Sequence, residues 1–205
     1  MKQAFHYHIR LLLKSPQQEC VPAPPDADDF NHFTQHFVLK EEAEVSMLSV
    51  LSQNAPALNN INAIIYKIQL LISTNRNPIV SCWRGLSDQW IGVIFSCVAT
   101  AGLCRWAPDF LGDPQSVYNF IHEQIMVNTF RRICIAQGYH HMNPDMSLVN
   151  AGAFLTSVYQ SFVFAYLSPI VKKEIGRAGQ AYLDQKRIQA NDRRHAVSTF
   201  RLQNH

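Results

Sequence analysis

Charge is scarce in this chain. Lys, Arg, Asp and Glu make up 16% of its 205 residues, against roughly 25% in an ordinary soluble domain. The apolar share is 47% and the mean hydropathy only -0.09. An exterior poor in charge, without excess hydrophobicity, implies that part of the surface faces another polypeptide. The five cysteines, Cys20, Cys82, Cys97, Cys104 and Cys134, form no C-x-x-C pair; this argues against zinc knuckles and dense disulfide scaffolds and fits a reducing compartment. No G-x-S-x-G, G-x-x-x-x-G-K-[ST] or G-x-G-x-x-G occurs, so nucleophile-elbow, P-loop and dinucleotide chemistry have no local support. His32 and His36 have zinc-protease spacing but no glutamate between them, since the stretch reads HFTQH, and no metal or other cofactor is expected. Carboxylates in the helical body are too few to nominate an acid/base pair, and the expectation is a protein that is not an enzyme.

What is present reads mostly as helix. The exception is the start, where Phe5, Tyr7, Ile9, Leu11 and Leu13 alternate with His6, His8, Arg10 and Leu12, the period of a strand. Such a strand has no hairpin partner and is expected to dock on a neighbouring molecule. Arg10 interrupts the apolar run, and no signal-peptide cleavage site follows. Pro16, Pro22, Pro24 and Pro25 mark an extended linker. Residues 1–28 are therefore expected to form an arm, 29–190 a helical core, and 191–205 a basic tail.

Within the core, Asp28 or Asp29 caps a helix from about Phe30 with a Phe30/Phe33/Phe37 stripe, and VSMLSVLSQ follows the acidic Glu41, Glu42 and Glu44. Ile61, Ile64, Ile65, Ile68, Leu71 and Ile72 mark a further helix, and another runs from Ser87 to Leu103 with Cys97 and Cys104 as small core residues. A helix from Gln115 to Gly138 is followed by an uncharged one over Leu148 to Leu167, and Ser168-Pro169 opens the last. The expected fold class is all-α, a bundle of about six or seven helices. The uncharged runs Gln89 to Cys104 and Leu148 to Leu167 permit a two-helix membrane reading, but their Gln, Ser, Thr, Asn and Gly content favours buried helices.

The charges separate along the chain. Residues 15–60 carry a net -6 and residues 170–205 a net +5, a polarity suited to head-to-tail association or to a basic face for phosphates. Arg131 and Arg132 sit among Val127, Phe130 and Ile133 and need an anionic partner: a phosphate, with Tyr139, Tyr159 or Tyr182 as a stacking face, or a salt bridge to Glu123 or Asp145.

The arginine-bearing VNTFRRICIAQG, the apolar AGAFLTSVYQSFVFAYLSP and the basic GRAGQAYLDQKRIQ, in that order, resemble the coat proteins of flexuous filamentous plant viruses of potyvirus, potexvirus and closterovirus type. The helical nucleoproteins of segmented negative-strand RNA viruses share the same physical logic. The resemblance implies a virion subunit, made in the host cytoplasm, that polymerises into a helical filament around single-stranded RNA. It matches Arg131 or Arg132 to an arginine that works with an acidic residue on the next helix, where this chain has Gln160 or Ser161. The expected RNA contacts are Arg131, Arg132, Gln160, Lys172, Lys173, Arg177, Lys186 and Arg187, and the expected subunit contacts are Phe5, Tyr7, Ile9, Leu11 and Leu13. No small-molecule substrate is expected. The competing readings are a helical scaffold that binds acidic proteins and the two-helix membrane protein.

Overall fold

The first element departs from its expected form. In the computed structural model, which describes residues 1–17, 20–37 and 58–203, α1 (Lys2–Leu12) is a helix. Ala4, Phe5, His8, Ile9, Leu11 and Leu12 are all buried, a spacing that lines one side of a 3.6-residue period. Phe5, Ile9 and Leu11 therefore belong to the chain's own core and are not offered to a neighbour, while Tyr7 and Leu13 are half-buried. The helix interior wins over the strand pattern because His8, which looks polar on paper, has its hydrogen bonds satisfied inside. Thr129 Oγ1 donates to Ile125 O (2.7 Å), so His8 Nε2–H donates to Thr129 Oγ1 (2.8 Å) and Tyr139 O–H donates to His8 Nδ1 (2.6 Å).

The long helix α6 (Val117–Ile135) is the centre of the body, with Ile121, Ile125, Met126, Phe130 and Ile133 essentially inaccessible. Around it sit α1, α5 (Asp88–Thr100) and α8 (Gly152–Gln160). The helices α3 (Leu58–Thr74) and α4 (Pro78–Trp83) lie against α5 and α1 respectively. Trp83 Nε1–H donates to Tyr7 O (3.1 Å), fixing α4 to α1. The expected helix over 45–53 and the acidic Glu41, Glu42 and Glu44 lie outside the described residues.

The proline-rich segment is part of the body. Asp26 and Asp29 form a capping box for α2 (Ala27–His36), so the N-cap is Asp26, two or three residues before the expected Asp28 or Asp29. The buried Asp29 carboxylate also accepts from Arg105 Nε (3.0 Å) and Nη2 (2.6 Å), and Arg105 Nη2 donates to Pro24 O (3.0 Å). This clamp ties residues 24–29 to the loop after α5. That loop is closed by Asn119, whose buried amide bonds Asp109 N, Asp109 O and Asp113 O.

Three helices end in the same cap, in which the chain folds back through a left-handed residue. At α5 that residue is Gly102 (φ 71°), with Leu103 N–H donating to Val98 O and Gly102 N–H to Ala99 O. The helix thus stops short of the expected Leu103, and Cys104 is exposed where a core position was expected. At α1 and α6 the left-handed position falls on Lys14 (φ 52°) and Gln137 (φ 59°).

Beyond a short α7 (Met146–Val149), residues Gly152–Gly176 form one continuous helix. Its middle, Ser161–Leu167, is wound as a π-helix, and α9 (Ser168–Gly176) continues from it through Pro169. Proline removes one ladder donor and crowds the carbonyl four residues back; the wider turn before Pro169 makes room for it. Ser168-Pro169 therefore does not open a separate helix. This helix is long and apolar enough to span a membrane by length and composition, but it buries Leu155, Val158, Tyr159, Phe162, Val163, Leu167 and Val171 in the body. At 13 residues, about 20 Å long, α5 is too short to be a second span. The last helix, α10 (Gln180–Gln203), runs through most of the expected tail.

Two outcomes follow. Burial lowers the pKa of His8 to about 3 and that of His122 to about 4, so between those values and about 6.5 the unfolded chain binds protons that the native one refuses. Stability measured by denaturant unfolding is complete above pH 6.5 and falls as the pH drops towards 4, by up to roughly 1.4 kcal/mol per histidine per pH unit. Replacing Gln137 by Gly removes the left-handed penalty and raises the thermal midpoint, with a gain of up to about 1 kcal/mol; a lower midpoint would contradict the cap assignment.

Candidate functional site

A groove of about 1070 Å³ opens beside α1. One wall is the groove side of α1, carrying Lys2, Gln3, His6, Tyr7 and Arg10, and the opposite wall is the α8–π stretch with Phe154, Ser157, Ser161, Phe162 and Tyr166. Its end is the α3–α4 connection, Thr74 to Ile79. Lys2, His6 and Arg10 are four residues apart and stack along one helix face. With Arg76 they give the groove three permanent cations and an imidazole, and no Asp or Glu is among its described lining residues.

The rings in the groove are already stacked. His6 lies on Phe162 with centroids 4.1 Å apart and planes 19° from parallel, and Phe162 lies against Tyr166 at 5.3 Å and 23°. The Arg10 guanidinium sits 5.8 Å from the Phe162 centroid, a cation–π distance. Phe162 is buried, whereas Tyr166 is 40% exposed and ends the stack. The π-helix contributes Ser161, Phe162 and Tyr166 to the lining, in keeping with the concentration of such turns at functional sites.

The end of the groove is fastened by local hydrogen bonds. Arg84 Nη2–H donates to Ile72 O (3.2 Å) and Asn75 O (2.9 Å), holding the carbonyl end of α3. Asn77 Oδ1 accepts from Val80 N–H (3.0 Å) and caps α4, with Pro78 in its first turn. Arg10 is buried, and its Nη1–H donates to Gln17 O (3.0 Å). Burial, then Arg10, then Lys2 lower the His6 pKa to about 4.

The RNA contacts expected from sequence do not gather into this groove. Arg132 is exposed on α6, and Arg131 reaches Asn150 Oδ1 (3.4 Å). Among the described residues no carboxylate, Glu123 and Asp145 included, makes an ion pair with either arginine. Gln160 faces inward: its Nε2–H donates to the buried Glu123 carboxylate (2.6 Å), which also accepts from Thr156 Oγ1 (2.7 Å). Lys173 is paired with Asp184 (2.9 Å). Lys172, Arg177, Lys186 and Arg187 are exposed on or beside α9 and α10, with Lys186 Nζ 5.2 Å from the Tyr182 ring. Tyr139 and Tyr159 are fully buried and offer no stacking face. His32 and His36 are exposed, and His36 Nδ1 bonds to His32 O (3.0 Å).

No family model, curated protein or solved structure matches the chain. The chemistry of the site therefore rests on its own residues. A lining with three cations and no carboxylate among its described residues, beside stacked rings, suits a ligand that carries both phosphates and flat bases. Lys2, His6, Arg10 and Arg76 are not legible as a set in the sequence because they lie on two distant segments. The readable signal was the i, i+4, i+8 basic spacing in α1, which a strand reading hides.

Gln160 serves as a test of these placements. Gln160→Ala removes a charge-assisted bond from a buried carboxylate, at a cost of about 1.5–3 kcal/mol. Denaturant unfolding should register that loss, while affinity for an RNA oligonucleotide stays within about threefold of the parent. A large loss of RNA affinity without loss of stability would return Gln160 to the binding surface.

Proposed function

We propose that this protein is a structural, non-enzymatic subunit that binds single-stranded RNA without sequence preference and assembles with further copies into a filament, as the coat or nucleocapsid subunit of a virion made in a host cytoplasm. The observation that carries the reading is the groove beside α1: Lys2, Arg10 and Arg76 around a His6–Phe162–Tyr166 stack, with no described carboxylate in the lining. Cations hold a phosphate backbone irrespective of sequence, and an aromatic face accepts any base. The helical build and the order of the arginine-bearing, apolar and basic helices add the likeness to flexuous-virus coat proteins.

Exposed apolar side chains support assembly. Ile175, Tyr182, Leu183 and Ile188 are each about half exposed on the α9–α10 end, and Leu70 and the still more exposed Tyr66 stand on α3; large apolar side chains left in water favour contact with other polypeptides. The charge polarity of the chain, net -6 over 15–60 and net +5 over 170–205, favours unlike ends meeting. Phe5, Ile9 and Leu11 take no part in this contact, because they are core.

Binding of a fluorescein-labelled oligouridylate, followed by anisotropy, provides the check. Affinity falls by tenfold or more as salt rises from about 50 to 200 mM, through counterion release. Lys2→Glu with Arg76→Glu weakens binding by at least about tenfold, and Tyr166→Ala costs about 1–3 kcal/mol. Equal competition by poly-glutamate of the same length would favour a scaffold for acidic proteins, because such a polyanion has no bases to stack. Affinity unchanged across the salt range would overturn the RNA reading.

A further inference from the structure

His6 is placed unlike any other histidine described. Its ring lies flat on Phe162, halfway along the groove's basic stripe, with Lys2 one turn before it and Arg10 one turn after. His8 and His122 are sealed in the core, and His32, His36, His140 and His141 are not among the groove's lining residues. Each element around His6 presents its own groups. From α1 come Lys2, Tyr7 and Arg10, from the α3–α4 connection Arg76, and from the π segment Tyr166; no described Asp or Glu lines the groove.

We propose that occupation of this groove by single-stranded RNA is coupled to uptake of one proton by His6, so that the complex tightens as the pH falls and loosens as it rises. The inference rests on the RNA reading above and assigns a regulatory property to the same site. In the free subunit the imidazole is kept neutral by burial and by the cations on either side, which lower its pKa to about 4. A phosphodiester backbone held by the exposed Lys2 and Arg76 adds negative potential at the ring, which favours the charged form. The Phe162 face beneath the ring then supports an imidazolium. Linkage makes the effect reciprocal: if RNA raises proton affinity at His6, protons raise RNA affinity by the same factor.

The same anisotropy assay, run at constant ionic strength between about pH 5.5 and 7.5 with far-UV circular dichroism to confirm the fold, tests this. For the full chain the oligouridylate binds about tenfold tighter at the lower pH, the change that one proton taken up with a bound-state pKa near 6.5 produces. His6→Phe, which keeps a ring on Phe162 but has no proton to gain, binds with an affinity that does not change across the range. An observation on the parent protein needs no variant: NMR titration of the His6 imidazole moves to higher pH when the oligonucleotide is saturating. Binding that is salt-dependent but flat with pH, a slope retained in His6→Phe, or an unmoved His6 titration each overturns the proton linkage and leaves the RNA reading standing. No binding at any pH overturns both.

Discussion

The arrangement depends on one buried neutral imidazole. His8 receives a hydrogen bond from Tyr139 and gives one to Thr129, so α1 is held against the second half of α6 and the turn that follows it at a fixed rotation. That rotation decides everything on the other side of α1. With Phe5, His8, Ile9 and Leu12 turned into the core, the helical repeat places Lys2, His6 and the buried Arg10 in one line on the groove side, facing the π-helix. A charged imidazole at position 8 would face a large desolvation cost, so the contact persists only while the ring is uncharged. Docking of the core and presentation of the basic stripe are thus two consequences of one constraint.

The π-helix is the matching constraint on the opposite wall. In a regular α-helix, Phe162 and Tyr166 are one turn apart in a stretch that must also accommodate Pro169. Widening the turn absorbs the proline and keeps Gly152–Gly176 continuous, and in the resulting structure Phe162 and Tyr166 are stacked. The backbone feature that resolves a local clash therefore sits where the groove needs its rings. Burial of Phe162 stiffens the platform, and exposure of Tyr166 leaves one face free at its end.

The helices of the body were legible where apolar residues recur at helical spacing over many turns, as in Ile61 to Ile72 or Ile121 to Ile133. The start was misread because FHYHIRLLL satisfies a period of two as well as one of 3.6, and only the hydrogen-bond partners of His8, which are 121 and 131 residues away, decide between them. The linker was misread for a similar reason: Pro22, Pro24 and Pro25 do fix an extended path, but Arg105 fastens that path to the body. Gln160 illustrates a third limit. A polar residue in an uncharged helix reads as an outward contact until its partner, Glu123, is known to be buried beside it. The groove itself was not legible, since its cations come from α1 and the α3–α4 connection and its rings from the π segment.

The two sets of cations in this chain differ in what they can do for an RNA chain. Lys172, Arg177, Lys186 and Arg187 are exposed, so their field is screened over about 8 Å at physiological salt and each contributes to attraction more than to a fixed pose. Arg10 is buried at the groove wall, shielded from solvent and already oriented by Gln17 O and the Phe162 face. The exposed C-terminal residues thus suit long-range capture of a polyanion, and the groove suits holding it in one register. Within the groove only Arg10 is withdrawn from water, while Lys2 and Arg76 are exposed, so the buried guanidinium fixes the shape of the wall and the exposed pair supplies the field that a mobile anion would meet first.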